Sequence, residues 1–363
     1  MAESRERSPR ASRKPDLPNW KQYRCYAIGL AYSGDGYHGF QVQPDIPTVE
    51  ADIQAAVVAS GLIDPVLLRE SNRDKLFWSR AARTDRGVHA CMNVVACRLD
   101  SEKVPVKVSD GAVQELDQGK FCDLLNAYLP DSIRCVFINR VTMRFDARAH
   151  CDSRSYEYYL PITIDGKMLE VMTLKQELEK YVGTRNFHNF TRGMTARDKT
   201  AVRHIVSISV EPVGQHHVCV KLLGQSFLLN QIRKIIGLAV EVTLGLAPEN
   251  AIETALYSKR LVHIHMVPGE GLLLERLFFK GYDLHKCGDY TVTTPFSWLI
   301  ADEESEGDAE VMWRISEFKN RIVHNVILPD LKDKFDHWAR IFVLPNSWDA
   351  RHDEETVMEP GDE

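Results

Sequence analysis

Short segments of strand type and helix type alternate along this chain from about residue 22 to residue 290, and this alternation most restricts the folds open to it. The links between the segments are mostly short, and few are long enough for the crossovers that parallel strands need. The pattern therefore predicts an α/β (α+β) domain with a mixed, mainly antiparallel sheet. Strands are predicted where apolar and β-branched residues cluster, at 24–32, 92–99, 133–142, 154–160, 205–210, 218–223 and 272–279.

The predicted helices start at residues that favour helix ends. Thr48 is placed to cap one helix, and Thr173 and Gln176 have the spacing of a capping box for another. Apolar residues at helical spacing over 121–129 predict a further helix. The apolar stretch 227–244 predicts a long, mostly buried helix.

The two ends of the chain differ in composition from the part between them. Residues 1–20 mix basic residues with Ser and Pro, and we expect a disordered basic arm for nuclear import, with mitochondrial or cytoplasmic location as alternatives. Residues 21–290 are expected to form the main domain, divided near 150–165. Residues 291–345 are expected to be an acidic linker and helical extension, and 346–363 a disordered acidic tail.

The net charge of −6 is unevenly distributed. Residues 301–310 and 352–363 each carry six acids and no Lys or Arg, and the rest of the chain carries 45 bases and 39 acids, a net +6. A polyanionic partner is therefore compatible with this chain. Between these acidic segments a helix over 309–327 is predicted to pack against the domain through Val311, Ile315, Phe318, Ile322 and Val323.

Several functional classes are excluded by what the sequence lacks. No apolar run approaches the roughly 20 residues of a membrane-spanning helix, and no apolar leader opens the chain. The eight cysteines show neither a CxxC pair nor zinc-site spacing with histidine, so we expect reduced, apolar cysteines and no metal.

The first candidate site is the segment 82–90, ARTDRGVHA, which lies in a predicted turn between two strands. Asp85 stands between two arginines and is followed by Gly87. One interpretation is a turn in which the Asp85 carboxylate only binds backbone amides. The other is an ionised Asp85 that acts as nucleophile or base, with the arginines on phosphates.

A second candidate segment, 145–158, contains a strand that places Arg154, Tyr156 and Tyr158 on one face. These side chains either pack against neighbouring strands or form a wall on which a base stacks. Downstream, Arg233 lies in the apolar helix 227–244. A buried arginine needs a carboxylate partner, either Asp85 or a structural one elsewhere.

The segment 183–203 is basic and rich in aromatic residues. Five bases between 185 and 203 accompany one acid, Asp198, and Phe187, His188 and Phe190 lie among them. This composition is typical of an RNA contact, and a solvated basic loop is the alternative.

Seven segments in this order resemble the TruA-type tRNA pseudouridine synthase family, most closely its eukaryotic nuclear branch. The resemblance covers about 23–285, and the helix after Ala309 is also similar to that branch. It implies a mixed α/β domain whose two similar halves form a basic cleft. It further implies a cofactor-free isomerase that converts uridine to pseudouridine in RNA. The expected substrate is tRNA, with other structured RNA as an alternative. The segments are 36–41 (GYHGFQ), 83–90 (RTDRGVHA), 129–133 (LPDSI), 145–158, 186–190 (NFHNF), 227–237 and 268–274 (PGEGLLL).

The resemblance also implies roles for individual residues. Asp85 would be the catalytic carboxylate, acting at C1′ of the ribose or at the base ring. Tyr156 would pack on the base and assist proton removal from C5, and Arg233 would pair with Asp85 and lower its pKa. Arg83 would fill the space left by the flipped nucleotide. Further RNA contacts would come from Thr84, Arg86, Gly87, His89, Arg154, Phe187, His188, Phe190 and Asn230.

Three positions depart from the family pattern. Phe40 replaces a common Trp, Arg86 is basic where bacterial members often have a small residue, and Asn230 replaces a common His. None of these changes affects the three proposed catalytic residues.

Two other functions remain open from the sequence: an RNA-binding or RNA-folding protein without catalysis, and an enzyme that acts on free nucleotides. A monomer is favoured, because the added helix would cover the surface through which bacterial relatives pair.

Overall fold

A computed structural model of the chain describes residues 21–68, 73–109, 113–286, 295–298, 300, 306–343 and 348. The predicted basic arm 1–20, the acidic residues 301–305 and almost all of the predicted acidic tail lie outside these residues. Within the described part, no helix is long and apolar enough to cross a membrane. The seven cysteines in the described part form no disulfide bonds, and all of them are buried.

The order of strands and helices follows the predicted alternation, with additional short elements. The strands are β1 (Tyr23–Tyr32), β2 (Ser79–Arg80), β3 (His89–Asp100), β4 (Val106–Ser109), β5 (Val113–Leu116), β6 (Ile133–Arg140), β7 (Ser153–Pro161), β8 (Thr163–Ile164), β9 (Lys167–Met168), β10 (Gly183–Asn186), β11 (Val202–Val213), β12 (His217–Gly224) and β13 (Leu272–Phe278). The helices are α1 (Val49–Ala59), α2 (Arg73–Leu76), α3 (Gln118–Asn126), α4 (Val171–Glu179), α5 (Gln231–Thr243), α6 (Ala251–Tyr257), α7 (Lys280–Lys286), α8 (Ala309–Ile322) and α9 (Leu328–Trp338).

Nine strands form one sheet in the order β10-β11-β12-β7-β13-β3-β1-β6, with β2 paired to β3 outside this path. The pairings are antiparallel except that of β13 with β3, which is parallel and joins Leu273 to His89. The prediction of a mixed, mainly antiparallel sheet is confirmed. Because β13 lies between β7 and β3, it joins strands from early and late in the chain.

The centre of the sheet is fully buried, which explains the near-continuous apolar runs in the sequence. Residues 89–97 of β3 are all buried, and so is β1 except for Arg24. Such burial on both faces requires covering layers. Helices α8 and α9 provide part of this cover, because α8 packs on β3 and β6 and α9 packs on β7.

The predicted helix over 309–327 packs against the domain, and four of its five predicted contact residues are buried. It is longer than predicted, since π-helical turns at Val323–Ile327 and Ala339–Val343 extend it beyond α9. A polar contact also joins this extension to the sheet. Lys319 donates to the buried Glu157 at 2.6 Å, and Tyr159 donates to the other oxygen of that carboxylate at 2.7 Å.

Two predicted helix starts are wrong. Helix α4 begins before Thr173, because the side chain of Glu170 accepts the free N–H groups of Met172 and Thr173 and so caps the helix. Helix α5 begins at Gln231 rather than at residue 227, because Asn230 adopts the left-handed conformation (φ 63°) and breaks the apolar stretch. Thr48 does occupy the N-cap position of α1, without a hydrogen bond from its side chain to the helix.

Candidate active site

A cavity of about 1030 Å³ opens where the turn before β3 meets the start of α5 and one face of β7. Its lining is strongly cationic, and arginine outnumbers acid by eight to two. Such a surface attracts a polyanion and holds phosphate groups through guanidinium forks. The charged lining residues are Arg80, Arg83, Arg86, Arg148, Arg154, Arg192, Arg203, Arg233, Asp85 and Asp146.

A buried network of hydrogen-bonded side chains fixes the turn that carries Asp85. Tyr32 and Thr84 share a hydrogen bond at 2.9 Å, and Asn93 donates to the Tyr32 hydroxyl at 3.2 Å. The Asn93 amide also accepts the N–H of Ala82 and donates to its carbonyl. Because Asn93 and Tyr32 lie in strands at the centre of the sheet, the network fixes the turn to the most rigid part of the fold. Sequence analysis missed both residues.

Two glycines allow other segments to approach this turn closely. A Cβ on Gly39 would lie 2.9 Å from the carbonyl oxygen of Thr84, and one on Gly269 would lie 2.9 Å from that of Arg86. Gly39 also has φ +99°, which other residues rarely adopt. Gly39 of segment 36–41 and Gly269 of segment 268–274 are therefore required where these segments contact the backbone of the turn.

Asp85 is half-buried and belongs to the cavity lining. The turn is closed by backbone, since the N–H of Val88 donates to the carbonyl of Asp85 at 3.2 Å and Gly87 has φ +76°. No described residue donates a hydrogen bond to the carboxylate. The interpretation in which Asp85 only binds backbone amides is therefore wrong, and the carboxylate remains available for chemistry.

Burial raises the pKa of the Asp85 carboxyl above its ordinary value, while the positive charges of Arg233 and then Arg192 act to lower that pKa. The predicted lowering by Arg233 is thus present but smaller than the effect of burial. A carboxylate that has lost much of its water and has no hydrogen bond from the protein is more reactive than a solvated one.

Arg233 lies on the first turn of α5 and lines the cavity, as expected, but it is only half-buried. Its Nε donates to the carbonyl of Val267 at 2.8 Å. Both Arg233 and Asp85 are described, and they form no direct ion pair with each other. The predicted pairing is corrected accordingly: Arg233 acts on Asp85 through space, from a position fixed by the backbone beside Gly269.

Tyr156 and Arg154 lie side by side on the cavity face of β7, as the strand pattern predicts. The Tyr156 ring is 8% exposed and packs edge-on against Phe227, with ring centroids 5.2 Å apart. Burial raises the pKa of Tyr156 to about 12. Arg154 is buried and donates to the carbonyls of Gln225 at 2.7 Å and Ala81 at 3.1 Å, so it ties two walls of the cavity together.

Tyr158 differs from its two neighbours on this face. Its hydroxyl donates to the carbonyl of Pro268 at 2.6 Å, and its ring lies edge-on to Phe335 of α9. Tyr158 therefore packs against neighbouring segments, which is the first of the two interpretations given for this strand face.

Four of the predicted RNA-contact residues are not placed to touch RNA. Phe187 and Phe190 are 0% exposed and pack against each other and Tyr181, so their rings belong to the core. His188 is 2% exposed and its Nδ1 contacts Asn186. His89 is 1% exposed and lies outside the cavity lining. Apolar aromatics at close spacing are more simply core residues, and here burial decides the matter.

His89 instead has a structural role next to the cavity. Its Nδ1 accepts the N–H of Gly34 at 3.1 Å, and burial lowers the pKa of its imidazole to about 4. His89 is therefore neutral near pH 7, and it anchors the glycine turn that follows β1.

The remaining predicted contacts lie at or near the cavity. Arg83 and Arg86 are exposed in its lining, and Arg83 donates to the side chain of Gln41 at 3.1 Å. Asn230 also lines it, and Thr84 does so with 7% exposure. Gly87 shapes the turn but is not a lining residue.

The basic segment 183–203 contributes to the cavity only in part, through Arg192 and Arg203. Arg80 and Arg148 also line it, and sequence analysis did not single them out. Arg80 lies just before the 82–90 segment and Arg148 lies within the 145–158 segment, and this position is a signal that could have identified them.

Comparisons with known proteins indicate the family of this chain. A family model described as tRNA pseudouridine synthase matches residues 178–280. The Pseudouridylate synthase 1 homolog of Mus musculus is 32% identical over 331 residues, which cover 86% of this chain and 71% of the relative. The protein of the same description from Homo sapiens is 32% identical over 336 residues, covering 87% and 72%. The tRNA pseudouridine(27/28) synthase of Saccharomyces cerevisiae is 29% identical over 331 residues, covering 70% and 84%.

Proposed function

This chain belongs to the TruA-type family of tRNA pseudouridine synthases, in its eukaryotic branch, and on that premise we propose how its own residues carry out the isomerisation. The chain is a tRNA pseudouridine synthase, an isomerase. The observation that carries the proposal is Asp85, which combines partial burial, no hydrogen bond from the described protein and a position in an arginine-rich cavity.

The reaction rearranges bonds within one nucleotide. The bond between N1 of uracil and C1′ of the ribose breaks, the base turns over, and C5 bonds to C1′. The proton on C5 is lost and N1 gains one, so atoms and charge balance without an oxidant or reductant. Asp85 supplies a carboxylate nucleophile, at C1′ or at the base ring.

The target uridine must leave the base stack to reach Asp85, and the cavity supports this step. A cavity of about 1030 Å³ accommodates a nucleotide, and arginines at its mouth neutralise the phosphates on either side. We assign to the exposed Arg83 the space that the flipped nucleotide leaves. Its contact with Gln41 supports a defined resting position.

Tyr156 is assigned to the base and to the proton on C5. Its buried ring beside Phe227 offers an apolar wall for a base. Because its pKa is about 12, the phenol is protonated near pH 7, so it can take up the C5 proton only if its own proton leaves in the same step.

Arg233 is assigned an electrostatic role. It favours the ionised form of Asp85 and holds its own place by donating to Val267. Of the other predicted contacts, Arg86, Arg154, Thr84 and Asn230 remain proposed for the RNA.

We also infer the organisation of the whole chain. Residues 21–290 form the catalytic unit, and its two halves meet near 150–165. The position of β13 between β7 and β3 supports this division, because β13 joins a strand of the second half to a strand of the first half. The cover that α8 gives to β3 and β6 supports a monomer. The basic composition of 1–20 supports a nuclear location, and tRNA is the proposed substrate ahead of other structured RNA.

The test compares an unmodified tRNA transcript with free uridine and uridine 5′-monophosphate. Because the arginines of the cavity bind phosphates of a strand, we expect pseudouridine in the transcript alone, and affinity that falls steeply as salt rises. Position-resolved mapping of the treated transcript provides the measurement. A transcript that binds and stays unchanged would favour a binding protein, and equal turnover of free uridine would favour a nucleotide enzyme.

A further inference from the structure

A second cavity of about 470 Å³ adjoins the catalytic one. The two share four lining residues, so they are neighbouring compartments of one groove. A strand whose target nucleotide enters the first cavity brings the next nucleotide close to the second. The shared residues are Trp78, Ser79, Arg80 and Asp146, and the second cavity is completed by Gln54, Phe77, Arg144 and Phe145.

Phe77 is the most unusual residue in this lining. Its side chain is 44% exposed, and its backbone has φ 50°, a conformation that is rare for a bulky residue. The guanidinium of Arg98 lies 4.2 Å from the centroid of the Phe77 ring and is itself held by the carbonyl of Lys75. Arg98 does not line the cavity, so it supports the ring without filling the space in front of it.

Trp78 and Arg80 are fixed by one buried carboxylate. Glu50 is 1% exposed. Its Oε1 accepts the indole N–H of Trp78 at 2.6 Å and forms an ion pair with Arg80, 3.1 Å from its Nε. Its Oε2 accepts the N–H of Val42 at 3.0 Å. The orientation of both side chains is therefore set before any ligand arrives, which lowers the entropy cost of binding.

The charge of the second cavity favours a phosphate. Arg144 is exposed there and has no ion-pair partner among the described residues. Asp146 is the one described acid in the lining, and its Oδ1 accepts the backbone N–H groups of Arg148 and Ala149 at 2.9 and 2.8 Å. The acid thus stabilises its own turn. Because Arg80 is paired with Glu50, Arg144 is the arginine of this lining whose charge is left for a phosphate.

From these contacts we propose that the second cavity binds the nucleotide next to the target uridine. Its base stacks on Phe77 beside Trp78, and its phosphate lies against Arg144. The volume is within the range of about 300–1,000 Å³ typical of ligand pockets. This inference rests on the proposed function, since it needs an RNA strand in the catalytic cavity.

The test is a double-mutant cycle on affinity. Dissociation constants are measured for the full chain carrying Asp85→Ala, with and without Phe77→Ala, against tRNA transcripts with an abasic ribose on the 5′ or the 3′ side of the target. Loss of one stacked base weakens binding by about 5- to 10-fold. Phe77→Ala is expected to show this loss on the intact transcript and on one abasic transcript, and almost none on the other, where the base is already absent.

Three controls make the result specific. Phe77→Trp should bind the transcripts with the same affinity as the protein that carries Phe77, because tryptophan keeps an aromatic face for stacking. Tyr257→Ala removes an aromatic ring that is 67% exposed and lines neither cavity, and it should show no coupling to either abasic site. Arg144→Gln should lower the slope of log Kd against log salt by about one.

Equal weakening by Phe77→Ala on all three transcripts, or no weakening on any, would overturn the proposal. The cycle measures affinity in a protein that does not turn over. Its failure therefore leaves pseudouridine formation by the wild type in place, whereas failure of the proposed function would appear as a wild-type reaction without pseudouridine.

Discussion

At the scale of single residues, the balance of charge around Asp85 decides its protonation. Burial raises its pKa, and the nearby arginines oppose that rise without touching the carboxylate. A direct ion pair would occupy the carboxylate oxygens. Through-space interaction with Arg233 favours the charged form of Asp85 and leaves those oxygens free for the substrate.

This balance predicts a pH dependence. If the ionised carboxylate is the reactive form, activity is present above the pKa of Asp85 and is lost as the pH falls through it. Arg233→Gln removes the arginine that lowers the pKa of Asp85 more. The pKa of Asp85 therefore rises further, and the acidic limb of kcat/KM moves to higher pH.

The profile should be recorded with tRNA at constant ionic strength. Arg192→Gln is the matched control, because Arg192 has the smaller effect on the same carboxyl and should move the limb less. An acidic limb that stays in place in both variants, or that moves to lower pH, would contradict this account.

At the scale of elements, the turn that carries Asp85 depends on strands that sequence patterns describe only as core. Asn93→Ala removes the amide that pairs both backbone groups of Ala82 and contacts Tyr32. Each buried group left unpaired costs about 1–3 kcal/mol. We expect lower stability in urea unfolding and, because the turn loses its support, a lower single-turnover rate.

Tyr32→Phe serves as a graded comparison, since it removes only the hydroxyl that links Asn93 to Thr84. Its effects on both stability and rate should be smaller than those of Asn93→Ala. A full rate in the Asn93→Ala protein, despite lower stability, would show that the turn does not need this network.

Sequence patterns predicted most of the sheet because period and turn chemistry act locally. They located β13 within one residue of its observed end and identified the turn at Asp85. They failed where distant segments decide the outcome. Phe187 has the composition of an RNA contact, yet contact with Tyr181 buries it, and Asn93 looks like an ordinary strand residue until Tyr32 and Ala82 are brought beside it.

At the scale of the whole molecule, the helical extension is joined to the catalytic sheet by buried charge. Lys319 of α8 meets Glu157 of β7, one residue from Tyr156, and lies 3.7 Å from Glu275. Burial lowers the pKa of Lys319, but these carboxylates raise it more, so its net pKa is raised. The extension therefore stabilises the strand that carries part of the active site.

Breaking this pair should be costly. Lys319→Ala leaves the Glu157 carboxylate buried and without its cation, and loss of one partner of a buried pair typically costs about 3–5 kcal/mol. Urea unfolding should show a loss near the lower limit, because Lys319 is partly exposed. Lys319→Met combined with Glu157→Gln should recover much of it, and a Lys319→Ala protein as stable as the wild type would refute the role of this contact.

The distribution of charge over the molecule is as informative as its total. The chain carries a net −6, yet eight arginines face one cavity. Twelve of the 51 acids fall in the sequence segments 301–310 and 352–363, and two acids are among the described residues of the cavity lining, so a net negative chain still has a strongly positive site.

The most direct test of the central claim is single-turnover pseudouridine formation in a tRNA transcript by the wild type and by Asp85→Asn. The substitution keeps the size of the side chain and removes its charge. The wild type should form pseudouridine at defined positions, and Asp85→Asn should bind the transcript with similar affinity and form none. Pseudouridine formed by Asp85→Asn at the wild-type rate would contradict the assignment of Asp85 as the catalytic carboxylate.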